Sequence, residues 1–167
     1  MAEKRIPYAD TCVPASRSKE QIDKMLHDYG ADAMRWTVVR DQSPVLEFVF
    51  TVTVNGTERK LGFRITAPHI EVTRVRDHQR VHAYNENASY RVLWWYLKSR
   101  LEAVSLGMET IEEALMTRIL LSLPDEAGNV VQTTVGDEVR RQIVNPKRKG
   151  LLPSFHIDGE ALPEEQK

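Results

Sequence analysis

An α+β fold, with an antiparallel sheet of three to five strands packed on one face by helices, is predicted by three features of the sequence. The first is a central hairpin over residues 45–66 built around Asn55-Gly56, the dipeptide that a two-residue type I′ turn prefers because both central positions need positive φ. Pairing outward from that turn sets Phe50 opposite Leu61, Phe48 opposite Phe63 and Leu46 opposite Ile65, so the large apolar side chains share one face. A slip of one residue would scatter them. The other face receives Thr51 with Lys60, Val49 with Gly62, and Glu47 with Arg64 as a cross-strand ion pair. The remaining two features are amphipathic helices on either side of the hairpin. Ile22, Met25, Leu26 and Tyr29 precede it, and Tyr90, Leu93, Trp94, Leu97, Leu101 and Val104 follow it, each set at steps of three and four.

Along the chain, residues 1–17 form an N-terminal extended segment, with Val13-Pro14 disfavouring helix there. A single α+β domain spans 18–144. Its first helix starts at Ser18, which with Gln21 makes a capping box, and ends at Gly30. A strand over 34–40 and a turn over 41–44 lead into the hairpin. Ala67-Pro68 breaks the third strand, and residues 70–75 form a candidate edge strand, as do 7–13. A long helix is then expected over 78–106, stopped by Gly107. Thr110 to Glu113 is a second capping box, opening a helix through Leu115, Ile119 and Leu120 that Pro124 closes. A strand over 130–135, a short helix over 137–144 and a basic then acidic tail over 145–167 complete the chain.

Lys and Arg number 23 against 24 Asp and Glu, so the whole molecule is no polycation. The bases are locally concentrated instead: Arg140, Arg141, Lys147, Arg148 and Lys149 lie in a short stretch, ahead of an acidic run from 158 to 165. A solvated surface is the plain reading of such a cluster and a phosphate-contacting patch the functional one. Cys12 is the only cysteine, which excludes an internal disulfide and fits a reducing compartment. It has no sequence-local base and reads as a buried or unreactive thiol. The first residues run into Pro7 without an apolar stretch, so no secretory signal is expected, and no run reaches the ~20 apolar residues of a membrane span. The expected location is cytoplasmic.

Catalytic motifs are missing. No Gly-rich phosphate loop and no nucleophile elbow is present. His78, His82 and Glu86, with Asp77 adjacent, fall one helical turn apart on the expected long helix, a spacing that a zinc site uses. Gln79 stands where the metalloprotease motif needs Glu, and a solvated helix start is the simpler account. Glu112 and Glu113 complement a helix dipole. No metal, no cofactor and no catalytic residue is expected.

The pattern Tyr8-x-x-Thr11-x-Val13, then Arg17-Ser18 with Ile22, Met25-Leu26 and Tyr29-Gly30-Ala31, then Leu101 to Val104, Gly107, Thr110 and Glu112-Glu113, and finally Leu151-Leu152-Pro153, spans most of the chain. It resembles a small-protein family of phages and prophages that has no established activity. Gln21 stands where that family carries Glu before the Ile of its first helix. The resemblance implies a mobile-element context, and with it nucleic-acid handling or engagement of a host protein.

Two local features suit nucleic acid. Trp95 points away from the apolar stripe of its helix, toward Arg91, Lys98, Ser99 and Glu102, and an aromatic flanked by cations serves stacking and phosphate attraction, or equally a protein anchor. Burial against the second helix or the C-terminal segment is the commoner fate of such a residue. The order helix, three strands, helix is also that of the double-stranded RNA-binding domain, whose second helix begins with phosphate-contacting bases; Arg74, Arg76 and Arg80 lie near that point here. The expected role is therefore a non-enzymatic phage or prophage accessory protein binding DNA or RNA through Arg74, Arg76, Arg80, Arg91, Trp95, Arg140, Arg141, Lys147, Arg148 and Lys149. The alternative is a protein-binding module or inhibitor of a host or phage enzyme, acting through Trp95 or a sheet edge.

Overall fold

The three-stranded sheet forms in the expected register. In the computed structural model, which describes residues 8–54, 56–76, 79–124 and 129–144, strands β1 (Ala33–Thr37), β2 (Val45–Val54) and β3 (Thr57–Thr66) lie antiparallel in the order β1-β2-β3. Leu46 faces Ile65, Phe48 faces Phe63 and Phe50 faces Leu61. Gly56 takes a φ of +75°, the left-handed conformation the turn demands. On the apolar face the rings of Phe48 and Phe63 stack at 5.3 Å, and Phe50 meets both edge-on.

Helices α1 (Ala15–Asp28) and α2 (Glu86–Ser105) cover that face and pack against each other. Ile22 and Leu26 of α1, and Leu93, Leu97 and Leu101 of α2, join Leu46, Phe48, Phe63 and Ile65 in one buried core. Ser18 on α1 and Ala88 and Ser89 on α2 are fully buried too. Three bonds tie the N-terminal region to α2. Asn87 Oδ1 accepts from the Ala15 amide, Asn85 Nδ2 donates to the Ala9 carbonyl, and Arg91 donates to Gln21 Oε1.

The polar face of the sheet is organised by Glu47. Arg35 Nε donates to its Oε2 at 2.8 Å and Arg64 Nε to its Oε1 at 2.9 Å. Burial pushes the Glu47 carboxyl up, but the hydrogen bonds and charges of Arg35 and Arg64 outweigh it and hold the group below its ordinary value of 4.5. A lowered folded-state pKa stabilises the fold above the unfolded value, and that contribution is lost as pH falls through the folded one. Glu47→Gln is therefore expected to cost about 1–2 kcal/mol at pH 7. In denaturant titrations the gap to wild type should shrink below pH 4.5 and close at lower pH; a gap constant from neutral to acid would contradict this account.

Several elements differ from expectation. α1 begins at Ala15 rather than Ser18, after Pro14 in extended backbone, so Ser18 lies inside the helix and Gln21 serves Arg91 instead of a capping box. Residues 8–10 form a turn closed by the Thr11 amide on the Tyr8 carbonyl, and no strand forms over 8–13. Cys12, read as a buried or unreactive thiol, is exposed, which removes the buried alternative. The largest departure is at 79–84. These residues form β5 (Gln79–Tyr84), paired with β4 (Glu71–Arg76) in a two-stranded sheet of its own, and so neither open a helix nor extend the main sheet. The helix starts only where Asn85, a strong N-cap type, accepts from the Ala88 amide. His82 and Glu86 consequently sit on different elements, and the helical spacing invoked for zinc does not exist; His78 lies outside the described residues.

Downstream, the Thr110–Glu113 capping box forms with both reciprocal hydrogen bonds. Its helix α3 (Ile111–Ala114) is a single turn, however, followed by a 3₁₀ turn and then β6 (Leu120–Pro124), where the sequence predicts that the helix continues. Leu120 and Leu121 belong to a short apolar run that periodicity alone cannot assign. Here Ile119 bridges Phe63 at the outer edge of β3, and β6 pairs with β7 (Val130–Thr134). The terminal helix α4 (Val135–Val144) follows, with Thr134 Oγ1 accepting from the Asp137 amide. Among the described residues, no helix is long and apolar enough to cross a membrane.

Candidate nucleic-acid interface

The β4–β5 ribbon is joined to the rest of the fold at its base. Ile70 is buried and its carbonyl accepts from the Asn85 amide at 2.7 Å, while the rings of His69 and Tyr84 stack at 4.9 Å. From that base the strands run outward in the register Thr73 with His82, Arg74 with Val81, Val75 with Arg80, and Arg76 with Gln79. Among the described residues, no other helix or strand makes more than marginal contact with the ribbon. Arg74, Arg76 and Arg80 therefore belong to the strands of a two-stranded ribbon. They are not at the start of the second helix, where Glu86 and Asn87 stand instead, so the parallel with the double-stranded RNA-binding domain fails at the residues that suggested it.

A second group gathers on α2. Trp95 is 40% exposed rather than buried against a neighbouring element. Arg91 lies 4.0 Å from the Trp94 ring centre and 5.5 Å from that of Trp95, and Lys98 is within 5.8 Å of both. The two indoles meet edge to face at 4.6 Å. Tyr8 completes the group, near-parallel to Trp95 with centroids 6.2 Å apart. Its φ of +60° is unusual for a non-glycine residue. Arg91 and Trp95 were legible from helical spacing; Tyr8 was not, since nothing local signals a contact made across the chain. Trp94, which helical spacing places on the buried stripe, is half-buried. Cations held over aromatic faces attract phosphate while leaving ring surface for a base.

A third group lies on α4, where the arginines are ion-paired, as Lys98 on α2 is with Glu102. Arg140 lies 3.9 Å from Asp137 and Arg141 2.7 Å from Glu138, each arginine facing an acid one turn earlier on α4. Lys147, Arg148 and Lys149 lie outside the described residues. The ten residues singled out from the sequence thus divide among the ribbon, α2, α4 and the undescribed tail. Burial pushes the Tyr90 phenol on α2 up to about 12, helped by Glu86, Tyr84 and Asp23, and raises that of Tyr84 at the end of β5 as well. No three metal-ligating side chains converge among the described residues.

These features define a mixed α+β protein with a separate two-stranded ribbon and a cation-bearing aromatic patch. Comparison with protein-family models, curated proteins and solved structures found no match.

Proposed function

We propose that the protein is a non-enzymatic, cytoplasmic accessory protein of a phage or prophage that binds nucleic acid. The observation that carries this reading is the α2 patch, where Arg91 and Lys98 ride over the rings of Trp94 and the part-exposed Trp95. Such a patch gives phosphate attraction without sequence demand, together with a stacking surface. Fluorescence anisotropy with single-stranded and duplex oligonucleotides at ~50 mM salt tests it, since even non-specific phosphate binding is measurable there. Trp95→Ala is expected to weaken single-strand binding by about 1–3 kcal/mol. Arg91→Ala should lower the salt slope by about 0.7, the increment for neutralising one phosphate fewer on a single strand. Absence of binding to any oligonucleotide would defeat the reading.

A second reading, a protein-binding module, is favoured by the outer edge of β1. Among the described residues this strand pairs only with β2, and it runs on into Val38 and Val39, 55% and 48% exposed. An unpaired edge is a template for strand addition by a partner. Capture of a host protein that survives nuclease treatment and is lost in Val38→Lys would favour this reading over the first.

A further inference from the structure

We infer that Arg118 and Arg100, gathered on the Tyr96 ring beside the α2 patch, form a subsite for a phosphate group, supplied by the backbone of the single strand whose base lies on Trp95. This rests on the nucleic-acid reading above and names a second contact for its ligand. Three observations support it. The Cζ of Arg118 lies 5.7 Å and that of Arg100 5.9 Å from the centre of the Tyr96 ring. Arginines drawn to a ring by their charge keep N–H donors for an acceptor. The Arg118 Nε is buried with no hydrogen-bond partner. A buried charged donor destabilises the fold until an acceptor reaches it, and an anionic oxygen is such an acceptor. Arg118 as a whole is only half-buried, so rotation about its terminal torsions can turn that donor toward an arriving oxygen. Finally, Arg100 pairs with Glu109 at 3.7 Å, whereas the Arg118 charge is unmatched among the described residues.

Two parts of the chain hold the subsite. Tyr96 and Arg100 both lie on α2, at the (i, i+4) spacing that places side chains on one helical face. Arg118 ends the 3₁₀ turn Met116–Arg118, which is fixed by the fully buried Leu115 before it and by the Arg118 amide donating to the Leu115 carbonyl at 2.8 Å. α4 closes on the same turn so tightly that a Cβ at Gly136 would stand 2.8 Å from the Thr117 carbonyl oxygen. Trp94, Trp95 and Tyr96 are thus three consecutive aromatics with Arg91, Lys98, Arg100 and Arg118 over them. On the helical wheel Arg91 and Lys98 fall to one side of Trp95, and Tyr96 and Arg100 to the other. A strand crossing α2 with one base on Trp95 therefore meets cations on both sides of that base.

The test uses the full chain, labelled oligothymidylate for anisotropy, and inorganic phosphate as a probe that carries no base. Arg118→Ala is expected to weaken oligothymidylate binding roughly 10-fold, as loss of one charge-assisted contact does, and to lower the salt slope by about 0.7. Glu109→Gln removes the carboxylate that competes for Arg100 and should tighten binding about two- to fivefold. That gain is opposite in sign to the effect of structural damage, so Glu109→Gln decides the matter if Arg118→Ala melts early by circular dichroism; unchanged or weaker binding in it would then overturn the inference. In proton–nitrogen correlation spectra the Arg118 Nε–H signal, assigned by its loss in Arg118→Lys, should move on addition of oligothymidylate. Wild-type affinity and salt slope in a folded Arg118→Ala variant, with binding still weakened in Trp95→Ala, would overturn the inference and leave the α2 reading intact. Movement of the signal with inorganic phosphate, without oligothymidylate binding, would support the subsite, make free phosphate its ligand and remove the nucleic-acid reading. No binding of oligothymidylate and no movement with phosphate would remove both proposals.

Discussion

Phe63→Ala should be the most damaging single truncation in the molecule, costing about 3–5 kcal/mol. Phe63 is fully buried, stacks on Phe48 and meets Phe50 edge-on, and its backbone bridges Ile119. Removing the ring takes away one of three mutually packed aromatics, and the flat face of a sheet cannot collapse into the space. At about 2–4 °C per kcal/mol for a chain of this size, the melting temperature should fall by roughly 6–20 °C. Phe63→Leu, which refills much of the volume, should recover more than half of the loss. A melting temperature within 2 °C of wild type for the Ala variant would show that the sheet face is not the centre of the core.

Asn85→Ala should rank second, at about 2–3 kcal/mol, because one nearly buried side chain serves two elements. Its oxygen accepts from the Ala88 amide at the start of α2, and its nitrogen donates to the Ala9 carbonyl. Asn85→Asp keeps a capping oxygen and loses only the donor, so it should fall between wild type and Ala in chemical denaturation. It should also leave Tyr8 less well held over Trp95, reducing protection of the turn at 8–10 in hydrogen exchange. Equal stability of the Asp and Ala variants would mean that the cap contributes nothing.

The parts of the fold legible in the sequence were those specified by neighbours along the chain. The hairpin register follows from a turn dipeptide and an alternation of apolar residues, and every expected pair from Leu46 with Ile65 to Thr51 with Lys60 is present. The Glu47–Arg64 ion pair followed from the same register; its third member, Arg35, did not, because it arrives from β1. The capping box at Thr110 was equally local, but how far its helix ran was settled by β7 and by the bridge to Phe63, both remote. At 79–84 the four-residue spacing of His78, His82 and Glu86 reads as helix, whereas the chain forms a strand there. Pairing with Glu71–Arg76 decides the matter, and pairing is invisible to periodicity. That pairing alone puts Arg74, Arg76 and Arg80 on a ribbon rather than at a helix start.

The bonds that tie the N-terminal region to α2 have a consequence for vectorial synthesis. Ala15 with Asn87, Ala9 with Asn85 and Gln21 with Arg91 are separated by 72, 76 and 70 residues. At ~5–20 residues per second, α1 leaves the ribosome roughly 4–14 s before its partners are made. The sheet completes itself from consecutive strands during that interval, so Ile22 and Leu26 can settle on Phe48 and Phe63 while the other half of the apolar face waits for Leu93, Leu97 and Leu101. Closing a loop of about 70 residues then costs about 4 kcal/mol in chain entropy. The nascent chain thus carries a half-covered aromatic sheet for seconds, the stage at which a slow ribosome or a missing chaperone would cost the most folded protein.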